Sequence, residues 1–123
     1  MFHVSELTGL AYLGEVTALL QRVRLEHPTC GLWEAADYHW MWTAPRSTDD
    51  QPKLFWYDEQ GPVAAAVTLD WGSATWLDLI ALPSVKRELI RPMFERGLAL
   101  ERAVASPLEM MVGDNDETLI ELL

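Results

Sequence analysis

TWLDLIALPSVKRELIRPMFERGLAL, residues 75 to 100, changes its periodicity half-way along. Up to Leu82 the run is mostly apolar. Alternation would put Leu77, Leu79 and Ala81 on one side and Trp76, Asp78 and Ile80 on the other, which predicts a strand over Thr75–Leu82. After Pro83 the apolar residues Leu89, Met93, Phe94, Leu98 and Leu100 recur at helical spacing and predict a helix over Val85–Val104. Pro92 falls inside it. A mid-helix proline costs about 3 kcal/mol, so the expectation is a kink, or a short first turn with the main helix beginning at Pro92. Ser106-Pro107 stops the helix, and LEMMV, Leu108–Val112, reads as another strand. A strand, a crossover helix and a second strand imply a parallel pair.

The chain before this unit supplies antiparallel partners. LFWYD (Leu54–Asp58), the turn Asp58-Glu59-Gln60-Gly61 and PVAAAVTLD (Pro62–Asp70) make a hairpin, and Trp71-Gly72-Ser73 turns the chain into Thr75. Further upstream, Leu10, Leu13, Val16, Leu20 and Val23 mark a helix over Thr8–Glu26. Thr8 or Ser5 is placed to cap its start, and His27-Pro28 ends it. Thr29 can cap a second helix from about Cys30 to Trp42, and Ala44–Pro52 is a loop. Asp114-Asn115-Asp116 caps a last short helix, Glu117–Leu123. The order ααβββαβα describes an α/β (α+β) fold, a mixed sheet with an antiparallel meander and one parallel pair.

Composition narrows the function classes. At 123 residues the chain is expected to form one domain spanning 1–123. Nineteen acidic against nine basic residues give a net charge of -10, a field that repels a phosphate backbone, so no nucleic-acid partner is expected. Cys30 is the only cysteine, which rules out an internal disulfide. The N-terminus lacks a basic n-region and no apolar run reaches a membrane span, so a cytoplasmic protein without membrane contact is expected. His3, His27 and His39 share no metal-ligand spacing, and no metal is expected.

This order of elements resembles the GNAT superfamily of N-acetyltransferases. HPTCGLWEAADYHWMWTAPRSTDD followed by LFWYDEQGPVAAAVTLDWG is similar to the N-terminal part of a group of bacterial GNAT-like proteins, with a tryptophan-rich GLWEAAD segment, a P-R-x-T-D loop and a hairpin. The resemblance covers most of residues 8 to 123. It implies that acetyl-CoA lies in a V-shaped opening where Thr75–Leu82 splays from its parallel neighbour. Backbone groups at the end of that strand, Ile80 and Leu82, would pair with the pantetheine. The pyrophosphate would sit at the start of the next helix, near Lys86 and Arg87. The family's phosphate motif, Q/R-x-x-G-x-G/A, places Lys86 at its first position but Leu89 and Arg91 at its small-residue positions. Lys86, Arg87 and Arg91 would then act as side-chain charges rather than as a backbone cradle. GNAT domains usually continue with another strand pair, which this chain lacks after Leu123. A fragment, a second GNAT domain or a partner copy in a homodimer would complete the sheet.

Two functions stay open on this reading: acyl transfer from acetyl-CoA to a small-molecule amine, or a non-catalytic GNAT-like ligand-binding or interaction module that has lost acetyl-CoA. For the first, Asp78 is the candidate general base, with an acidic residue of the second helix as the other choice; the structural alternative, an aspartate at a strand bulge or on the solvent face paired with a basic neighbour, takes precedence. Trp33, Asp37 and Trp40 could wall an acceptor pocket for a cationic amine. The other reading of the six tryptophans, Trp33, Trp40, Trp42, Trp56, Trp71 and Trp76, is core, and it takes precedence. Helical spacing sorts the second helix into a stripe of Leu32, Ala35, His39 and Trp42 and another of Trp33, Ala36, Asp37 and Trp40. His39 reads as a hydrogen-bonded packing residue.

Overall fold

The computed structural model describes residues 2–29, 34–41, 51–70, 74–101, 108–112 and 116–123. A five-stranded sheet runs in the order β1-β2-β3-β4-β5, where β1 is His3–Leu7, β2 Lys53–Asp58, β3 Gly61–Asp70, β4 Thr75–Ala81 and β5 Leu108–Glu109. The helices are α1 (Gly9–Glu26), α2 (Ala35–Met41), α3 (Pro83–Glu101) and α4 (Glu117–Leu122). All neighbouring strands are antiparallel except β4 and β5, which are parallel. The meander and the crossover therefore form as the periodicity predicts.

The sequence reading omits β1. Its five residues, HVSEL, pair with β2 from His3↔Tyr57 to Leu7↔Lys53. An edge strand that is half-wet on both faces carries no clean apolar period, so nothing in the pattern announces it. Ser5 belongs to this strand and bonds His3 rather than capping α1. Thr8 stands at the N-cap of α1 without a side-chain cap bond. The second helix is described from Ala35, after a Glu34 whose N–H donates to Asp37 Oδ2 at 2.7 Å, half of a capping box. Residues 30–33 and 42–50, with Cys30, Trp33 and Trp42, and Trp71 lie outside the described residues.

Register assigns the two faces of the sheet. Phe55 opposes Ala65 and Ala65 opposes Ile80, and the Phe55 ring meets Tyr12 of α1 at 6.4 Å between centroids. Leu77 lies on the other face, so close to α3 that a Cβ on Gly97 would come within 2.8 Å of it. α1 and α2 thus cover one face and α3 the other. β3 lies in the middle, and Val63 to Val67 have no exposed surface. α3 runs unbroken from Pro83 to Glu101 with Pro92 inside it, so no new helix begins at Pro92. Leu89, Ile90 and Met93 are buried around the proline, and their burial against the sheet outweighs one lost helix bond.

The β2–β3 hairpin is tied to α1. Gly61 adopts φ 137°, a backbone region that disfavours side chains. Asp58 Oδ1 accepts from the N–H groups of Gln60 and Gly61 at 2.8 and 3.1 Å. Arg22 reaches across from α1 and donates to both Asp58 oxygens at 3.2 Å and to the Pro62 carbonyl at 2.9 Å. The guanidinium and the two amides hold the Asp58 carboxyl below its ordinary pKa. A lowered carboxyl pKa stabilises the fold above the unfolded value, and that contribution is lost as pH falls through the folded one. The pair is partly exposed, so screening limits it to about 1 kcal/mol. Asp58→Asn is expected to lower unfolding free energy by about 1 kcal/mol near neutral pH, with the gap to wild type closing in acid. Urea titrations at the two pH values check this, and a gap that persists in acid contradicts it.

Candidate functional site

The parallel pair β4–β5 is short. It consists of Thr75↔Leu108 and Trp76↔Glu109, clasped by the Trp76 indole N–H donating to Glu109 Oε2 at 3.2 Å. β4 continues through Ala81, while Met110, Met111 and Val112 leave the sheet. The two chain segments therefore part beyond Trp76, and among the described residues the break in the ladder leaves an opening beside the second half of β4.

Which backbone groups face that opening follows from one bond. The Leu82 N–H donates to the Val63 carbonyl at 2.9 Å, so Leu82 points its backbone at β3, and its own carbonyl accepts from Val85. Alternation then turns Ile80 and Asp78 toward β3 as well. Leu79 and Ala81 direct their N–H and C=O groups into the opening, while Leu77 still turns its N–H to the last ladder pair of β5. Ile80 and Leu82, expected from sequence to offer their backbone to a ligand, thus turn it to β3, and Leu79 and Ala81 turn theirs the other way. Ile80 and Leu82 are buried core residues.

At the mouth of the opening stands the first turn of α3, and acids surround it. Pro83 has no N–H. Ser84 donates its N–H to Glu26 Oε1 at 2.5 Å and its hydroxyl to Glu26 Oε2 at 3.0 Å. Lys86 is paired with Asp116 at 2.6 Å, and Asp116 also caps α4 by accepting from the Leu119 N–H at 3.2 Å. Arg87 lies exposed, 4.0 Å from Glu121.

Behind β4, on the α1–α2 face, lies a buried polar cluster. Asp78 is half-buried and accepts a hydrogen bond from the hydroxyl of Tyr38, a fully packed residue of α2. Among the described contacts of this carboxylate is a phenol, a partner the sequence reading does not foresee. Burial first, and then the Asp78 charge, push the Tyr38 hydroxyl well above its ordinary pKa, so it stays protonated and donates. Tyr38 meets Tyr12 edge-on at 6.5 Å. Lys53, only 1 % exposed, places its ammonium 5.7 Å over the Tyr12 ring and donates to the Thr68 carbonyl at 2.9 Å and to Thr68 Oγ1 at 3.3 Å. One step beyond the Leu54↔Ala66 pair, Lys53 stands opposite Val67, which opposes Asp78. Lysine and aspartate thus share a row across three strands.

The expected aromatic wall is not assembled in the described residues. Trp33 lies outside them, Asp37 is engaged at the start of α2, and Trp40 is 68 % exposed. Trp56 is core and Trp76 half-buried, so the core reading holds for those two and not for Trp40. His39 bonds Thr17 of α1 at 2.8 Å on the surface. Among the described residues no three His, Cys, Asp or Glu side chains converge to hold a metal ion, and no helix is long and apolar enough to cross a membrane.

A mixed sheet whose parallel strands part next to a crossover helix, with two helices on one face, has known counterparts. An acetyltransferase of the GNAT family from Streptococcus pneumoniae matches with a TM-score of 0.68 at 15% identity, covering 99% of this chain and 81% of that one. The ribosomal-protein-S18-alanine N-acetyltransferase from Escherichia coli matches with a TM-score of 0.65 at 17% identity, over 99% and 74%. A predicted acetyltransferase from Clostridium acetobutylicum, solved with acetyl-CoA, matches with a TM-score of 0.65 at 6% identity, over 99% and 88%. The fold is that of the GNAT N-acetyltransferases. No protein-family model matches the sequence, and no curated protein matches it significantly. Identities this low carry the GNAT fold and not its chemistry.

Within that GNAT fold, three residues of the site escaped the sequence reading. Tyr38 belongs to neither helical stripe, although among the residues of α2 with described burial it is the buried one. The strand expected from sequence begins at Leu54 and omits Lys53. Starting β2 one residue earlier aligns Lys53 with Phe55 and Tyr57 by alternation, the signal that could have found it. Glu26 enters the sequence reading only as the end of the first helix, and no local pattern ties it to Ser84. Alkaline pH tests the phenols. Tyr38 is raised, and Tyr57, by burial and then the nearby Glu15, is pushed up to about 12. A raised phenol pKa stabilises the fold below the unfolded value near 10, and the contribution is lost as pH rises through the folded one. Tyr38→Phe is expected to lose about 1–3 kcal/mol at neutral pH, since Asp78 loses a buried donor. It should also show a shallower alkaline decline than wild type in denaturant titrations taken above pH about 10.

Proposed function

We propose that this domain is an N-acyltransferase that takes acetyl-CoA between β4 and β5 and passes the acyl group to a small-molecule amine. The observation that carries the reading is the parting of the parallel strands after two residue pairs, which leaves the Leu79–Ala81 edge of β4 without a strand partner among the described residues. An extended arm with amide groups fits such an edge, with Leu79 and Ala81 as its backbone partners. The solved counterpart with acetyl-CoA supports the same choice of donor. The phosphate end fits less well. Bulky Leu89 and Arg91 stand where the family motif has small residues, and the first turn of α3 is engaged by Glu26.

Acetyl-CoA supplies an acyl group activated as a thioester. In the reaction a C–N bond replaces the C–S bond, the amine gives up a proton and the departing sulfur gains one. Asp78 is the group we assign to take the amine proton. Tyr38 positions it, since a protonated phenol fixes the carboxylate while leaving it its charge. A net charge of -10 favours a cationic amine as acceptor.

The second reading, a non-catalytic GNAT-like module that binds a ligand or another domain, is favoured by the acid-lined α3 start. Calorimetric titration with acetyl-CoA, followed by thiol release in the presence of an amine panel, separates the two. Saturable binding with turnover is expected. Asp78→Asn should keep the binding and lower turnover by about 100-fold or more. Absence of binding at millimolar acetyl-CoA would sink the transferase reading.

A further inference from the structure

Glu26 is the last residue of α1, an exposed carboxylate at the end of a helix whose dipole disfavours negative charge. What favours it there is a second helix. Its two oxygens accept the N–H and the hydroxyl of Ser84 at the start of α3, at 2.5 and 3.0 Å. Pro83 offers no N–H, and the Val85 N–H is bonded to the Leu82 carbonyl at 3.0 Å. The first turn of α3 is therefore already engaged by protein acceptors, one of them an anion. The adjacent cations are matched as well, Lys86 by Asp116 and Arg87 by Glu121. An incoming diphosphate meets three carboxylates here, in a chain that already carries a charge of -10.

We infer that Glu26 is a specificity-determining residue. By seating its own carboxylate on α3, it makes the donor site select acyl thioesters by their pantetheine arm and gives the diphosphate of coenzyme A no advantage. This rests on the donor site assigned above. The physical balance is direct. A diphosphate at the start of α3 gains the helix N-terminus only by displacing Glu26, and it exchanges one anion for another at the same donors. The strand edge at Leu79 and Ala81 is untouched by that exchange, so the arm binds alike with or without the nucleotide. Removing the Glu26 charge returns the Ser84 donors to the ligand.

The test compares acetyl-CoA with S-acetylpantetheine by calorimetry at one fixed ionic strength, in wild type, Glu26→Ala and Glu26→Gln. Glutamine keeps the size and one acceptor oxygen, so it guards against a folding effect, and thermal unfolding of each variant is recorded beside the titrations. In wild type the two ligands are expected to bind within about threefold of each other. In both variants acetyl-CoA should tighten roughly tenfold, while S-acetylpantetheine is unchanged. A wild-type preference for acetyl-CoA beyond about tenfold, or a ratio that neither substitution moves, overturns the inference and leaves the donor site standing. Failure of both ligands to bind any of the three proteins overturns the donor site and the inference together.

Discussion

The central strand must be narrow enough for helices to close on it from both sides. β3 carries Ala64, Ala65 and Ala66 in succession, all without exposed surface, with α1 on one face and α3 on the other. Small side chains at the middle of the sheet let both helices approach the backbone closely, and larger ones on β2, β4 and the helices fill the flanks. Gly97 repeats the device from the α3 side, where Leu77 occupies the space a Cβ would need. The opening depends on this packing. α3 follows β4 directly and is held against β3 and β4, so the end of β4 and the first turn of α3 have a fixed relation while β5 diverges.

The face under α1 and α2 carries ionisable groups, while the opposite face buries the two threonines Thr68 and Thr75. A buried ammonium, two buried phenols and a half-buried carboxylate lie between helix and sheet. Such groups weaken a core unless each finds a partner. Lys53 has the Thr68 carbonyl and hydroxyl and the Tyr12 ring, and Tyr38 has Asp78. A fold needing only stability would fill these positions with Leu and Phe. Retained polarity of this kind sets orientation: it fixes Asp78 from the back of β4, on the strand whose other backbone edge faces the opening.

Charge divides the site into two unlike halves. The strand edge offers neutral backbone donors and acceptors, indifferent to the charge of what lies beside them. The helix start is acidic by arrangement, because Glu26, Asp116 and Glu121 come from α1 and from the α4 region, segments far from α3 in sequence.

Much of the architecture was legible in the residues alone. Alternation in LFWYD, PVAAAVTLD and TWLDLIAL set the meander, and the switch to helical spacing after Pro83 set the crossover. These are local properties of period and composition, which the backbone reads one element at a time. β1 was not legible, because an edge strand wet on both faces leaves no period. The direction of the backbone at the end of β4 was not legible either, because only the bond from Leu82 to Val63 sets which alternate amides face the opening. Tyr38 on Asp78, Lys53 over Tyr12 and Glu26 on Ser84 join residues 40, 41 and 58 positions apart. The sequence by itself determined the elements and their order. Tertiary structure alone decided the partners of the charged groups, because a carboxylate's environment is set by what packs against it in space.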